Sequence, residues 1–309
     1  MSELRKDPII GRWIIVSDSR TSMRNSDIPS VVRTENPKCP FCVGNEGLTP
    51  PEIVAFREEN SKPDTPGWRV RVVPNKFAAL KIEEKPKREG EGMYDKMSGT
   101  GAHEVIIETT KHTDSLADLP VEILSEVYLM YKERILDLKK DERFKYILIF
   151  KNEGSLAGAS LEHSHSQIIA TPIVPKRVKE EMNGSLMYYN LKRRCIYCDL
   201  IAQDLQFPDR IVLESEHFIS VEAFASRFPF ETWIVPKKHY SNFEDIPREV
   251  INDLAFIMSK TLKALNKVLK NPPYNYILHT SPVNSNFNHA SYHWHIEIIP
   301  KIGKIAGFE

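Results

Sequence analysis

The sequence carries no excess of either charge: 42 lysines and arginines balance 42 aspartates and glutamates over 309 residues. That balance argues against a protein held on nucleic acid by phosphate contacts, which needs a basic face. The chain has no uninterrupted apolar stretch of the roughly 18 residues that a membrane-crossing helix requires. Its N-terminal MSELRKDPII lacks the apolar core of a signal peptide. A cytoplasmic protein with no membrane partner is expected. Hydrophobic residues make up 41% and charged residues 27% of the chain, a globular composition long enough for two ordinary domains.

Cysteine is scarce, so its placement is informative. All four cysteines fall in two pairs of equal spacing, Cys39-Pro-Phe-Cys42 and Cys195-Ile-Tyr-Cys198. In a reducing compartment such pairs are metal ligands more often than disulfides. A thioredoxin-like redox pair would need a flanking strand and helix, which the sequence around neither pair suggests. Tetrahedral zinc needs two further ligands per pair.

The search for those ligands exposes an internal repeat. GAHEVIIETTKH (101–112) is a strand-like run ending in His112, and FETWIVPKKH (230–239) is another ending in His239. A helix follows each, expected from Leu119 to about Lys140 and from Ile246 to about Lys270, with Pro120 and Pro247 in the first turns and apolar residues at helical spacing. Another strand-like run comes next, KYILIFKN (145–152) and YNYILHT (274–280), and each half closes on a His-x-His strand, HSHSQII and HWHIEII. From His112 to His163 is 51 positions and from His239 to His293 is 54.

The repeat supplies two ligand sets: Cys39, Cys42, His112 and His163, then Cys195, Cys198, His239 and His293. Each set is closed by four protein donors, which suits a structural zinc, and two zinc ions per chain are expected. Segments 20–37 and 82–100, rich in charge, proline and glycine, read as irregular stretches that a metal clip would tie down. The fold class is α+β, with two pseudo-symmetric halves, each a mostly antiparallel sheet with a long helix, divided as 1–178 and 179–309.

In a strand, residues i, i+2 and i+4 share one face, so His163, His165 and Gln167 point the same way. With His163 committed to metal, His165 is a free imidazole. Just upstream, KNEGSLAGAS (151–160) is a small-residue loop in which Gly154, Gly158, Ala159 and Ser160 allow backbone amides to approach an anion. A phosphate held there would lie within reach of His165, the arrangement for attack by a neutral imidazole on phosphorus. His103, on an alternating strand, reads as a satisfied core residue rather than a ligand.

This ordered series resembles the galactose-1-phosphate uridylyltransferase family of the histidine-triad superfamily, close to its plant-type ADP-glucose phosphorylase branch. The resemblance runs from RKDPIIGRWIIVS (5–17) through CPFC, RVVPNKFAAL (71–80), the loop and His-x-His-x-Gln strand, FPFETWIVPKKH and HWHIEIIP to GFE (307–309). It implies two histidine-triad-like halves and a ping-pong nucleotidyl transfer in galactose metabolism, with His165 as nucleophile and Gln167 holding a phosphate oxygen. Asn152 and Ser160 are then expected along the phosphates, Asn75 near the nucleotide, and Phe308 and Glu309 near the hexose. The implied partners are a nucleotide sugar and a hexose 1-phosphate or phosphate, and the implied assembly is a homodimer. Superfamily hydrolases carry a third histidine where this chain has Gln167; an amide cannot shuttle a proton, which suits a leaving group that departs without one.

Departures from the family pattern bear on substrate. Its arginine pair corresponds to Arg20 and Arg24 with one extra residue of spacing, and uracil and adenine both stay open. Some relatives build their second metal site from a glutamate and three histidines, which Glu181, His279, His293 and His295 would match. Two other classes compete: a zinc deaminase, whose His-x-Glu precedes its cysteine pair whereas both pairs here lie upstream of His295 and Glu297, and a non-catalytic zinc module, which leaves the loop and Gln167 without a role.

Overall fold

The computed structural model describes residues 2–16 and 30–302. Two small hairpins stand apart, β1 (Glu3–Lys6) with β2 (Trp13–Val16) and β5 (Arg88–Glu91) with β6 (Tyr94–Met97). The second falls inside segment 82–100, so that stretch is partly regular. The remaining strands are β3 (Val54–Arg57), β4 (Trp68–Pro74), β7 (Ala102–Ile107), β8 (Tyr146–Glu153), β9 (His165–Thr171), β10 (Ile211–Glu214), β11 (Phe218–Glu222), β12 (Thr232–Pro236), β13 (Tyr274–His279) and β14 (His295–Pro300). They form one ten-stranded sheet in the order β10-β11-β12-β14-β13-β8-β9-β7-β4-β3. Every pairing in it is antiparallel.

Each half contributes five strands in the same spatial order, and the halves join where β8 pairs with β13, Tyr276 opposite Lys151. The expected duplication is therefore present, as two halves of one continuous sheet. The division at 178/179 falls inside a helix, α2 (Lys176–Lys192), that links the halves.

The two long helices are α1 (Val121–Leu138) and, beyond α3 (Ile196–Gln206), α4 (Arg248–Leu269). Each starts two residues later than its apolar pattern suggests, because Pro120 and Pro247 sit in extended conformations (ψ 145° and 161°) as the residues before the first turn. Helices α1 and α4 pack together on one face of the sheet. Leu124, Tyr131, Ile135, Leu254, Met258 and Leu262 meet Ile106, Ile149, Ile168, Tyr276, Ile296 and Ile298 in a core that spans both halves. By the alternation of strands, the residues between those positions, including His165, Gln167, His295 and Glu297, face away from the helices. The site chemistry is thereby confined to one side.

Helices α2 and α3 are invisible to apolar periodicity. Helix α2 buries only Val178, Glu181 and Ser185, and its Gly184 lets the chain pass so close that an added Cβ would stand 1.8 Å from the Ile9 carbonyl oxygen. Helix α3 begins directly after Cys195. The second cysteine pair thus does open a helix, but a helix precedes it, so the strand a redox motif needs is missing there.

A buried ion pair underlies strand β9. Lys151, fully buried, donates from Nζ to Glu108 Oε2 (2.6 Å), Ser164 Oγ (2.9 Å) and the His165 carbonyl (3.1 Å). Ser164 also donates to Glu108, and these partners hold the Glu108 carboxyl below its ordinary pKa despite the opposing cost of burial. Lys151→Met would strand that carboxylate in the core. We expect a loss of about 3–5 kcal/mol in denaturant unfolding, most of it recovered when Glu108→Leu is added. A double variant as unstable as the single would place the loss in packing instead.

Candidate active site and metal centres

Around the first cysteine pair, backbone turns close the loop: the Cys39 N–H donates to Asn36 O (3.0 Å) and the Cys42 N–H to Cys39 O (3.2 Å). Asn45 Nδ2 caps the Cys39 carbonyl at 2.8 Å. Both sulfurs then meet the two imidazoles, with Cys42 Sγ 3.3 Å from His112 Nδ1 and 3.6 Å from His163 Nδ1, and Cys39 Sγ 3.9 Å from His163 Nδ1. His163 donates its other nitrogen, Nε2–H, to the Thr109 carbonyl at 2.7 Å, the outer contact that fixes a ligating ring. Burial lowers the His163 pKa to about 4, which keeps the ring in the neutral form a metal binds.

The second set repeats this geometry. Cys198 Sγ lies 3.4 Å from His239 Nδ1 and 3.6 Å from His293 Nδ1, and His239 Nε2–H donates to His289 O at 3.1 Å. In both sets all four donor atoms lie within 4.8 Å of one another, so either could hold a metal ion. His293 joins the thiolates, which breaks up the alternative set of one glutamate and three histidines. Its remaining members, Glu181, His279 and His295, gather with Glu297 in a third buried group. There the carboxylates are already paired: Arg177 reaches Glu181 (2.7 Å) and Glu297 (3.2 Å), Arg227 also pairs with Glu297, and His279 Nδ1 is 3.0 Å from Glu181. Against the cost of burial, Glu181 and Glu297 push the pKa of His279 up to about 10.

His165 donates Nδ1–H to the carbonyl of His163 at 2.8 Å. That bond fixes the tautomer and leaves the Nε2 lone pair free. Burial, then Lys151, lowers the ring's pKa. His165 lines a cleft of about 560 Å³ together with Phe41, Asn75, Phe77, Ser160 and Gln167, a size that admits a small organic ligand.

Register identifies the counterpart of this cleft in the other half. Gln167 lies opposite Val105, and Glu297 lies opposite Trp233; Phe41 and Tyr197 occupy the same place between their cysteines. The hollow lined by Tyr197, Val221, Phe224 and Trp233 holds only about 50 Å³. Trp233 stacks on His295 at 5.0 Å and His279 stacks on the same ring at 4.7 Å. A histidine covered on both faces beside a carboxylate offers nothing to a phosphate.

Of the residues expected at the site, Asn75, Ser160, His165 and Gln167 meet in the cleft. The loop is built differently from the anion cradle expected of it. Gly154 and Gly158 take positive φ (81° and 90°), and the N–H groups of Gly158 and Ala159 close the turn onto Ser155 O (2.9 Å) and Gly154 O (3.1 Å). They shape the loop and do not present their amides. Asn152 lies beneath it, its Oδ1 taken by Asn275 at 2.8 Å, while the same Asn275 Nδ2 ties down Ala157 O at 2.7 Å. Arg20, Arg24, Phe308 and Glu309 lie outside the described residues. Sequence reasoning missed Phe41 and Phe77 as cleft walls, and it misread His103: its ring is half-buried and 2.8 Å from Gln167 Oε1. The signal was present, since His103, Val105 and Ile107 alternate on the strand that pairs with β9.

Residues 1–175 match the family model "Galactose-1-phosphate uridyl transferase, N-terminal domain", and residues 180–304 match "Galactose-1-phosphate uridyl transferase, C-terminal domain". The chain is 35% identical to the ADP-glucose phosphorylase of Arabidopsis thaliana over 99% of its own length and 86% of that protein's. It is 30% identical to the galactose-1-phosphate uridylyltransferase of Thermotoga maritima, covering 97% of this chain and 87% of the relative. Among solved structures, the Arabidopsis ADP-glucose phosphorylase with bound ADP-glucose superposes with a TM-score of 0.83 at 33% identity, covering 100% of this chain and 92% of that one. A uridylyltransferase superposes at 0.75 with 28% identity, covering 99% and 90%. The chain belongs to the galactose-1-phosphate uridylyltransferase family and is a nucleotidyltransferase.

Proposed function

We propose that this enzyme transfers a uridylyl group between hexose 1-phosphates through a covalent intermediate on His165. The observation that carries the reading is the bond from His165 Nδ1–H to the His163 carbonyl, which leaves an unprotonated Nε2 for the cleft that His165 lines. In the first half-reaction Nε2 attacks the phosphorus beside the nucleoside of UDP-glucose; a P–N bond forms, the P–O bond breaks, and glucose 1-phosphate leaves as an anion needing no proton. In the second, a phosphate oxygen of galactose 1-phosphate attacks the same phosphorus and the P–N bond breaks. The His163 carbonyl steadies the positive charge that the ring acquires between the two steps. Gln167 donates to a non-bridging oxygen without offering a proton to water, Ser160 contacts the phosphates, and Asn75 lies beside the nucleotide. Asn152 supports the loop from below.

The metal reading is zinc at both thiolate sets. Bonds of about 2.3 Å to sulfur and 2.0–2.1 Å to nitrogen place tetrahedral ligands roughly 3.5 Å apart, and the Sγ–Nδ1 separations of 3.3–3.9 Å suit that geometry. Closed four-ligand sites supply folding free energy and leave the chemistry to His165. The same reading includes a cytoplasmic homodimer, which light scattering at micromolar concentration tests.

A second reading, adenylyl transfer from ADP-glucose to phosphate, is favoured by the 35% identity to a plant ADP-glucose phosphorylase. Crossing UDP-glucose and ADP-glucose with galactose 1-phosphate and phosphate separates them: we expect the first donor with the first acceptor to turn over fastest, and the opposite pair would select adenylyl transfer.

Elemental analysis should find two zinc ions per chain, and Cys39→Ser should retain one while lowering the thermal midpoint more than it lowers activity per folded molecule. A stable but inactive Cys39→Ser would move that metal into the mechanism.

His165→Gly should lower turnover on the order of 10⁴-fold by removing the covalent route, with partial rescue by added imidazole. His295→Gly should stay within roughly tenfold of the parent per folded molecule. Acid-labile nucleotide label persisting on His165→Gly protein would refute the assignment, and absence of label on the active parent would refute the covalent route.

A further inference from the structure

Two backbone amides at the edge of the cleft decide the orientation of three side chains. The Ala79 N–H points at His103 Nδ1 from 3.2 Å, and the Phe77 N–H points at Asn75 Oδ1 from 2.9 Å. A main-chain N–H can only donate. His103 Nδ1 must therefore be the bare nitrogen, which puts the ring proton of the neutral imidazole on Nε2. Asn75 must turn its Oδ1 toward Phe77, which puts its NH₂ on the other side.

Both resulting donors converge on one acceptor. His103 Nε2 lies 2.8 Å and Asn75 Nδ2 lies 3.4 Å from Gln167 Oε1. The two nitrogens also lie 3.0 Å apart; with Nδ1 taking the Ala79 N–H, Nε2 carries the proton and cannot accept from Asn75, so both donate to the shared oxygen. The opposite tautomer would set an Nδ1–H against the Ala79 N–H on fixed backbone, and would let Gln167 turn its oxygen into the cleft. An oxygen there would repel the phosphate; the amide nitrogen attracts it. Strand pairing holds the parts in place: the Asn75 N–H donates to the His103 carbonyl at 2.8 Å, and Val105, two residues on from His103, is opposite Gln167.

We propose that His103 is a positioning residue for the transfer reaction, holding Gln167 in the rotamer that presents its Nε2–H to the substrate phosphate. The proposal rests on the nucleotidyl-transfer reading for its consequence, though not for its geometry. Among the described residues of the half around His295 nothing reproduces it: Glu297 stands where Gln167 does and needs no orienting, since a carboxylate has no donor end.

Two measurements test it. Nitrogen-15 NMR of the imidazole side chains in the resting full-length protein, above pH 7.5, should find His103 as the Nε2–H tautomer. The Nδ1–H tautomer would overturn the relay whether or not the protein is a transferase. In kinetics, His103→Leu should lower kcat roughly 10- to 100-fold with KM for the nucleotide sugar little changed, and His103→Gln, whose amide can donate to the same oxygen, should recover most of it. In a Gln167→Ala background, adding His103→Leu should cost less than about twofold, because the residue acts through Gln167. Full additivity of the two losses in an active parent enzyme would refute the proposal, while an inactive parent would refute the transfer reading and leave the tautomer to decide the relay.

Discussion

The bond from His165 Nδ1–H to the carbonyl of His163 joins the first cysteine–histidine cluster to the cleft. His163 is held twice, by Nδ1 in the cluster with Cys39 and Cys42 and by Nε2–H on the Thr109 carbonyl. Its own carbonyl then becomes a fixed point from which the His165 ring is aimed. Behind the same strand, Lys151 takes the His165 carbonyl from the other side of the sheet while paired with Glu108. A nucleophile misplaced by an ångström loses much of its advantage. Both devices bear on one tripeptide, His163-Ser164-His165, and on the proposed reading they account for a metal ligand and a nucleophile only two residues apart.

The duplicated halves have diverged through side chains at equivalent register positions. Val105 leaves room over Gln167, whereas Trp233 fills the same space over Glu297 and stacks on His295. Once a carboxylate replaces the amide, burial demands compensation, and Arg177, Arg227 and His279 provide it. The cost of stranding Glu297 maintains the closure: removing either arginine would leave a buried carboxylate short of a partner. One half keeps a cleft of about 560 Å³ and the other about 50 Å³.

What the sequence discloses follows from which interactions are periodic. The repeat, the long helices and both cysteine–histidine sets are legible because strand alternation, helical spacing and thiolate pairs recur at fixed intervals, whereas the strand ends are not: β7 stops at Ile107, short of His112, and β9 and β14 begin at His165 and His295, past His163 and His293. Helix α2 is not, because its partners are polar or backbone: Glu181 inside an ionic group and Gly184 against the Ile9 carbonyl. The loop at 154–160 is legible as a turn, but which amides close it depends on the positive φ of Gly154 and Gly158 together. His103 is misread for a related reason. Alternation tells which face a side chain takes, whereas its role depends on an N–H from residue 79 that no pattern brings near it.

The architecture divides transfer from recognition. On the proposed reading, phosphorus chemistry sits on strand β9, on β7 beside it and on β4 beyond, where hydrogen-bonded backbone fixes His165, Gln167, His103 and the start of the Asn75 turn. The walls that would meet a base or sugar come from turns: Phe41 and Leu48 in the segment tied by the first metal set, and Phe77 just beyond β4. Turn residues can change without disturbing the strand register, so a frame of this kind could serve different nucleotides. Relatives named for uridylyl transfer and for ADP-glucose phosphorolysis share this fold at comparable coverage. What both reactions require is a sugar phosphate or phosphate that enters and leaves as an anion, and on the proposed reading the amide at Gln167 suits either, having no acidic proton to give.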